Sequence, residues 1–172
     1  MKERVVLVDL QNVPIGTMEK MQAHRQGLLH RAFSIYLFNP TNELLLQKRA
    51  FDKYHSGGLW TNTCCGHPRP EEEITVAAKR RLMEEMGIDI ALTEISQLTY
   101  KAELDHGLTE HEYLHVFVGT YADNPIPNKA EVEDWKWQKA EQVRHEMGQH
   151  PAQFTAWFPI VFPHLKPHEH IY

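Results

Sequence analysis

Between Glu71 and Met86 the chain runs without glycine or proline, after a segment rich in residues that break helices. Residues 51–70, FDKYHSGGLWTNTCCGHPRP, precede it and Gly87 follows. Within the stretch Ile74, Ala77, Ala78 and Leu82 recur at helical spacing, which gathers the apolar side chains on one face. The pattern predicts a helix over 71–86 with an acidic first turn and Gly87 as its C-cap.

The rest of the chain reads as short strands. VVLVDL (5–10) is a strand ended by Gln and Asn, and AFSIYLFN (32–39) with LLLQKRA (44–50) reads as a hairpin across a Pro/Asn turn. Residues 51–70 read as loop around a short extended piece. Strands are expected at 95–104 and 112–123, and short helices near 138–147 and 152–161. No repeat or domain boundary interrupts the pattern, so one domain over 1–172 is expected.

Composition narrows the partners. The chain is 42% hydrophobic and 24% charged with a mean hydropathy of -0.50, and no apolar run approaches membrane-spanning length. No membrane segment is expected. The opening MKERVVLVDLQNVP lacks a small-residue cleavage site and reads as strand and turn, which points to a cytoplasmic protein. A formal charge of -5 argues against nucleic acid as a partner, whereas a local cluster of Lys and Arg still suits a small anion. No obligate protein partner is inferred.

The two cysteines are adjacent, in TNTCCGHP (61–68). They cannot frame a disulfide scaffold, so each is buried, metal-bound or catalytic. If the chain is extended there, Cys65 and His67 point one way and Cys64 the other. Cys65, near a helix N-terminus and basic residues, is expected to lean towards the thiolate. Cys64 reads as a small buried hydrophobe.

From Gly66 the chain runs five residues to Glu72, seven more, and then RRLMEEMGI from Arg80 to Ile88. This resembles the Nudix box, G-x5-E-x7-RE-U-x-EE-x-G-U with U aliphatic, with Arg81 standing where the box has glutamate. Glu84 and Glu85 offer hard oxygens suited to Mg2+ held jointly with phosphates. Arg81 lies one turn before Glu85, so an anion bridged by magnesium would satisfy both. Surface salt bridges on a solvated helix would also account for these charges, but not for Gly66 and Gly87 at box spacing.

Downstream, His111 to His115 forms H-E-x-x-H, a zinc-protease pattern that requires a helix. The β-branched and aromatic run of Tyr113, Val116, Phe117 and Val118 and the following Gly119 favour a strand, where the two imidazoles stand roughly 13 Å apart and cannot share an ion. The strand instead puts Glu110 and Glu112 on one face. His24 and His30 precede an expected strand. Together with His67, Glu110 and Glu112 they would form an N/O set suited to Zn2+, Mn2+ or Fe2+, if the fold assembles them.

GTMEKMQAH, LLHRAFSIYLFN, GLWTNTCCGHP, the box variant with Arg81, and TEHEYLHVF together closely resemble type 1 isopentenyl-diphosphate isomerases, over about residues 5–160. The resemblance implies an α+β Nudix-like fold of mixed β-sheets flanked by helices, and interconversion of isopentenyl and dimethylallyl diphosphate. It implies Cys65 as the catalytic thiol, Glu112 as the catalytic acid and Tyr100 as an aid to proton delivery. It implies one divalent ion (Mn2+, Zn2+ or Mg2+) on His24, His30, His67, Glu110 and Glu112, and a second, Mg2+, with the diphosphate on Glu85. Lys20, Arg49, Lys53 and Arg81 match phosphate-binding residues, and Trp157 matches an aromatic wall for a carbocation, in the C-terminal helix. The alternatives are a Nudix hydrolase of a nucleoside diphosphate derivative, against which Arg81 and Cys65 speak, and a non-catalytic Nudix module. The histidine-rich end, PHLKPHEHIY (163–172), reads as a mobile tail with no assigned role.

Overall fold

The computed structural model describes residues 2–165; of the tail, residues 166–172 lie outside the described residues. Its centre is β3 (His30–Phe38), HRAFSIYLF, which is apolar on both faces. Ala32, Tyr36 and Phe38 point to one side, where they join Leu114 and Val116 and a C-terminal group of Phe154, Trp157, Phe158 and Val161. Phe33, Ile35 and Leu37 point to the other, where Ala77, Ala78, Leu82 and Met86 of helix α2 (Ile74–Met86) cover them. A strand buried on both faces loses the alternation of an exposed one and reads as a near-continuous apolar run.

Around β3 the sheet is mixed. β8 (Thr109–Thr120) runs parallel to it, from His30↔Glu112 to Phe38↔Thr120, and β7 (Thr93–Glu103) pairs antiparallel with β8. The other flank of β3 is shared by β1 (Arg4–Val8), β6 (Cys64–Gly66) and one pair from β4 (Glu43–Arg49). β2 (Pro14–Glu19) pairs with β1, while β9 (Val132–Lys139) and β5 (Trp60–Thr61) pair with β4. With helices packed on both faces, this is an α+β fold.

Several expectations change. The proposed hairpin of β3 and β4 meets at Phe38↔Leu44 alone, because β6 and β8 already occupy the flanks of β3 and β4 turns away to pair with β9. α2 begins at Ile74, not Glu71: Glu72 lies before it and accepts hydrogen bonds from Arg69 N at 2.8 Å and from Arg80 Nε at 2.7 Å. Its end is as expected, with Gly87 at φ 68° and its N–H on Met83 O; a Cβ there would lie 2.6 Å from Ile126 O. Strand β9 occupies residues up to Lys139, so the next helix, α3, is Ala140–Gln149. Only Phe158–Val161 (α4) of the stretch 152–161 is α-helical, and Trp157 caps its N-terminus instead of lying within it.

One helix was not anticipated. α1 (Lys20–Gln26) is capped by the Glu19 carboxylate on Met21 N and Gln22 N and stopped by Gly27 at φ 62°. It carries Lys20 and His24 towards the sheet. Among the described residues no helix is long and apolar enough to cross a membrane.

Candidate active site

Strands β6, β7 and β8, helices α1 and α2, and the loop after β4 enclose one cavity whose lining includes Lys20, Arg49, Lys53, Cys65, His67, Arg81, Glu85, Tyr100, Glu110, Glu112 and Trp157. His24 and His30 lie behind that lining, both fully buried. The expected site residues therefore come together. The period of two in β6 separates the cysteines: Cys65 faces the cavity, while Cys64 is buried against α2 with Sγ 3.5 Å from Glu85 Oε2. Gly66 lets β6 approach closely, since a Cβ would stand 2.8 Å from the Phe33 ring and 3.2 Å from Arg81 Cγ.

Tyr100 and Glu112 are register partners across β7 and β8, and Glu110 lies two residues along the same face. The Tyr100 hydroxyl is 2.5 Å from Glu110 Oε2 and 2.7 Å from Glu112 Oε2. A phenol has one proton to donate, so a carboxyl proton must serve the other contact. Burial and the Glu112 charge push Glu110 well above the usual carboxylate range; burial pushes Glu112 up to about 7, against the pull of the Tyr100 hydrogen bond. The three groups are thus joined through the phenol oxygen, with a proton on the carboxyl pair.

Beside them stand three imidazoles. His30 Nε2 is 3.3 Å from His67 Nε2, and His67 Nε2 is 3.2 Å from Glu112 Oε1. His24 and His30 each donate Nδ1–H to a backbone carbonyl, Lys20 O and Leu28 O, both at 2.8 Å, which leaves the Nε2 lone pairs free. Burial lowers the pKa of His24 to about 4, that of His67 to about 3 and that of His30 well below the ordinary value, so all three are neutral at pH 7. One donor atom from each, with a Glu112 oxygen, lies within 4.8 Å of the others, and His24 Nε2 has no hydrogen-bond partner. Neutral lone pairs converging beside a carboxylate fit a divalent cation. Glu110 is not in that group; its oxygen gathers with His24 and His55.

Cys65 departs from expectation. Burial pushes its thiol up to about 12, despite hydrogen bonds with Ser34 (3.3 Å) and Asn62 (3.1 Å), and the Glu112 charge adds to the rise. It is a thiol, not the thiolate expected from its position near α2. Depth in the cavity and two nearby carboxylates outweigh the helix end.

The basic residues are already paired. Lys20 Nζ is 2.5 Å from Glu3, Lys53 pairs with Glu131, and Arg81 reaches Glu84 and Glu85 at 2.5 Å each and Glu131 at 3.6 Å. Gln47 holds the other oxygen of Glu85 at 2.8 Å. Arg49 donates to the His55 carbonyl and lies 5.4 Å above the Trp157 ring. Glu3, Glu131, Tyr54 and His55 line the cavity and were not legible; each is an ordinary polar residue far in sequence from its partners. The H-E-x-x-H histidines lie on β8 with unrelated partners, His111 on Gly27 O and His115 on Asn12 and Glu94.

A NUDIX domain model matches residues 28–158. The chain is 50% identical to the isopentenyl-diphosphate Delta-isomerase of Burkholderia multivorans over 92% of this chain and 90% of that protein. It is 52% identical to the protein of the same name from Pectobacterium atrosepticum, over 94% and 90%. The chain belongs to the isopentenyl-diphosphate Delta-isomerase family of NUDIX-domain proteins. Solved structures agree on the NUDIX fold alone. A Deinococcus radiodurans protein superposes with a TM-score of 0.80 at 17% identity, over 95% of this chain and all of that one. The MutT protein of Methanosarcina mazei does so with 0.65 at 21% identity, over 79% and 91%. Within this family the substitution of Arg81 for the box glutamate sits in a cavity that carries a thiol and a carboxyl pair.

Proposed function

We propose that this chain interconverts isopentenyl and dimethylallyl diphosphate by adding a proton at one carbon and removing one from another. The observation that carries the reading is the Tyr100–Glu110–Glu112 group and the Cys65 thiol in one cavity with Lys20, Lys53 and Arg81. Family membership supports it, since the named relatives are isopentenyl-diphosphate Delta-isomerases.

The diphosphate binds to Lys20, Arg49, Lys53 and Arg81, exchanging for the Glu3 and Glu131 carboxylates that pair with three of them. Arg81 presents a forked guanidinium suited to two phosphate oxygens. Glu85, with its other oxygen held by Gln47, would offer an oxygen to Mg2+, which would supply positive charge to the diphosphate. His24, His30, His67 and Glu112, with Glu110 beside them, would hold a second divalent ion, whose charge would make Glu112 a stronger acid.

The alkene takes its proton from the carboxyl side, relayed through Tyr100 to Glu112. The π electrons form the new C–H bond, and positive charge develops at the tertiary carbon. Trp157, buried in the cavity wall, offers an aromatic face to that charge and excludes water. A proton then leaves the allylic carbon to Cys65, which takes it as the thiolate left when its own proton has passed to the Glu110–Glu112 carboxyl pair, and the C–H electrons become the new double bond. A thiolate with so raised a pKa is a strong base. With Cys65 as thiol and Glu112 as carboxylate the same pair runs the reverse reaction, so each ionisation form turns over one of the two diphosphates and the net direction follows their relative amounts. We place the protein in the cytoplasm, where free thiols such as Cys64 and Cys65 persist.

Incubation with isopentenyl diphosphate and Mg2+ tests the reading. Acid-labile dimethylallyl diphosphate without phosphate release is the expected product; phosphate release would mean hydrolysis and overturn it.

A further inference from the structure

Two buried imidazole nitrogens among the described residues lack a hydrogen-bond partner, His24 Nε2 and His55 Nε2. The first faces the cluster already described. His55 is 1% exposed and comes from the loop after β4, which puts an imidazole deep in the protein with one nitrogen unsatisfied.

The loop is held so that this ring turns inwards. Ser56 adopts φ 54°, with its N–H bonded to both Asp105 carboxylate oxygens at 3.1 and 3.2 Å. A left-handed serine is strained and persists only where its surroundings enforce it. Arg49 donates to the His55 carbonyl at 3.1 Å. The ring packs edge-on against Tyr54 and Trp157, with centroids 4.4 and 5.5 Å away. Nδ1 lies 3.0 Å from Ser56 Oγ, which accounts for one nitrogen. Nε2 is left facing Glu110, 3.5 Å from Oε1.

The donor atoms of His24, His55 and Glu110 all lie within 4.8 Å of one another, the same span as the His24–His30–His67–Glu112 set. Opposite ligands on an ion bound at about 2.1 Å stand about 4.2 Å apart, so both spans suit coordination after small shifts. His24 belongs to both sets, and its single Nε2 lone pair binds one ion. The six donor atoms do not all lie within that span of one another, so a single centre on His24 forms when His55 and Glu110 draw in towards the ion from the other side of that ring. We propose that His55 is a further ligand of the divalent ion held by the His/Glu cluster, giving this chain a centre of four imidazoles and two carboxylates. The proposal rests on the metal-dependent reading above. An imidazole-rich set favours Zn2+, Fe2+ or Co2+ over Mg2+, which prefers oxygen.

Metal binding without substrate tests it. In the Co2+-loaded full chain, with histidine ring nitrogens labelled with 15N, hyperfine-shifted imidazole signals are expected from His24, His30, His55 and His67. His55→Phe keeps the ring packing against Tyr54 and Trp157 and should lose one set of those signals; His55→Ala is the companion variant. Chelator competition should show Zn2+ binding weakened by about tenfold or more in both, a loss typical of disturbed metal centres. Shifted signals from only three histidines in the unaltered chain would overturn the proposal. So would unchanged Zn2+ affinity in either folded variant, or weakened affinity with an unchanged signal count, which would make His55 a positioning residue for Glu110. Because no isoprenoid diphosphate is present, failure of the isomerase reading leaves this result unaffected.

Discussion

Tyr100 and Glu112 face each other across the β7–β8 ladder, and their side chains meet in a 2.7 Å hydrogen bond inside a wall of buried carboxylates. The pairing is fixed by backbone register, so the proposed relay needs no loop to close before its hydrogen bond forms. Slipping β7 by one residue would turn Tyr100 to the other face.

Removing the phenol proton should break the relay. Tyr100→Phe is expected to lower kcat by about 10²- to 10⁴-fold, the usual contribution of a positioned proton donor. The Tyr100 hydrogen bond holds the Glu112 pKa down, so its loss should move the limb of the pH–rate profile due to this group to higher pH. A variant with near-normal kcat and an unmoved limb would remove Tyr100 from proton transfer.

The adjacent cysteines should separate in their effects. Cys65→Ala is expected to abolish turnover while leaving thermal stability nearly intact, because Cys65 faces the cavity. Cys64→Ala should keep most of the activity and lose on the order of 1 kcal/mol through the small void left against α2. Kinetics and thermal melts on both variants would check this, and equal losses of activity would refute the assignment.

Chelator-treated protein should lose stability as pH falls. His24, His30, His55 and His67 have folded pKa values far below the unfolded value, so the unfolded chain takes up their protons first as pH drops below about 6.5. Glu110 and Glu112 act in the opposite sense, since their raised folded values bind protons in the native state; their contribution is present at low pH and is lost as pH rises through the Glu112 value of about 7. Four imidazoles outnumber two carboxyls, so the melting temperature should fall between pH 7 and pH 5. Adding Zn2+ at 100 times its Kd should restore about 2.7 kcal/mol at pH 7. Both are read by calorimetry, and His67→Ala or Glu112→Gln should diminish the Zn2+ effect.

Arg81→Ala should mainly raise KM, by about tenfold or more, because a charge-assisted bond to phosphate contributes on the order of 1.5–3 kcal/mol. An unaltered KM would return Arg81 to a purely structural ion pair with Glu84 and Glu85.

What the sequence disclosed followed from how local each signal was. α2 and its Gly87 cap were legible because spacing, capping and the lack of proline all lie within one segment. The strand at His111–His115 was legible because the β-branched and aromatic run contradicts the helix that its motif would need. α1 was not: seven residues held by Glu19 and Gly27 carry too few apolar positions for a period to show. The splaying of β3 from β4 depends on β6, β8 and β9, which are far away in the chain. The ionisation of Cys65 depends on depth, and the places of His55, Glu3 and Glu131 depend on partners that only the fold brings near.

The most direct measurement is NMR of the protein with isopentenyl diphosphate and Mg2+ in D2O. The account predicts dimethylallyl diphosphate carrying deuterium at the protonated carbon, with slow deuteration of remaining substrate by the reverse path and no phosphate released. Product without deuterium would contradict a proton drawn from side chains that exchange with solvent, and inorganic phosphate in its place would contradict isomerisation itself.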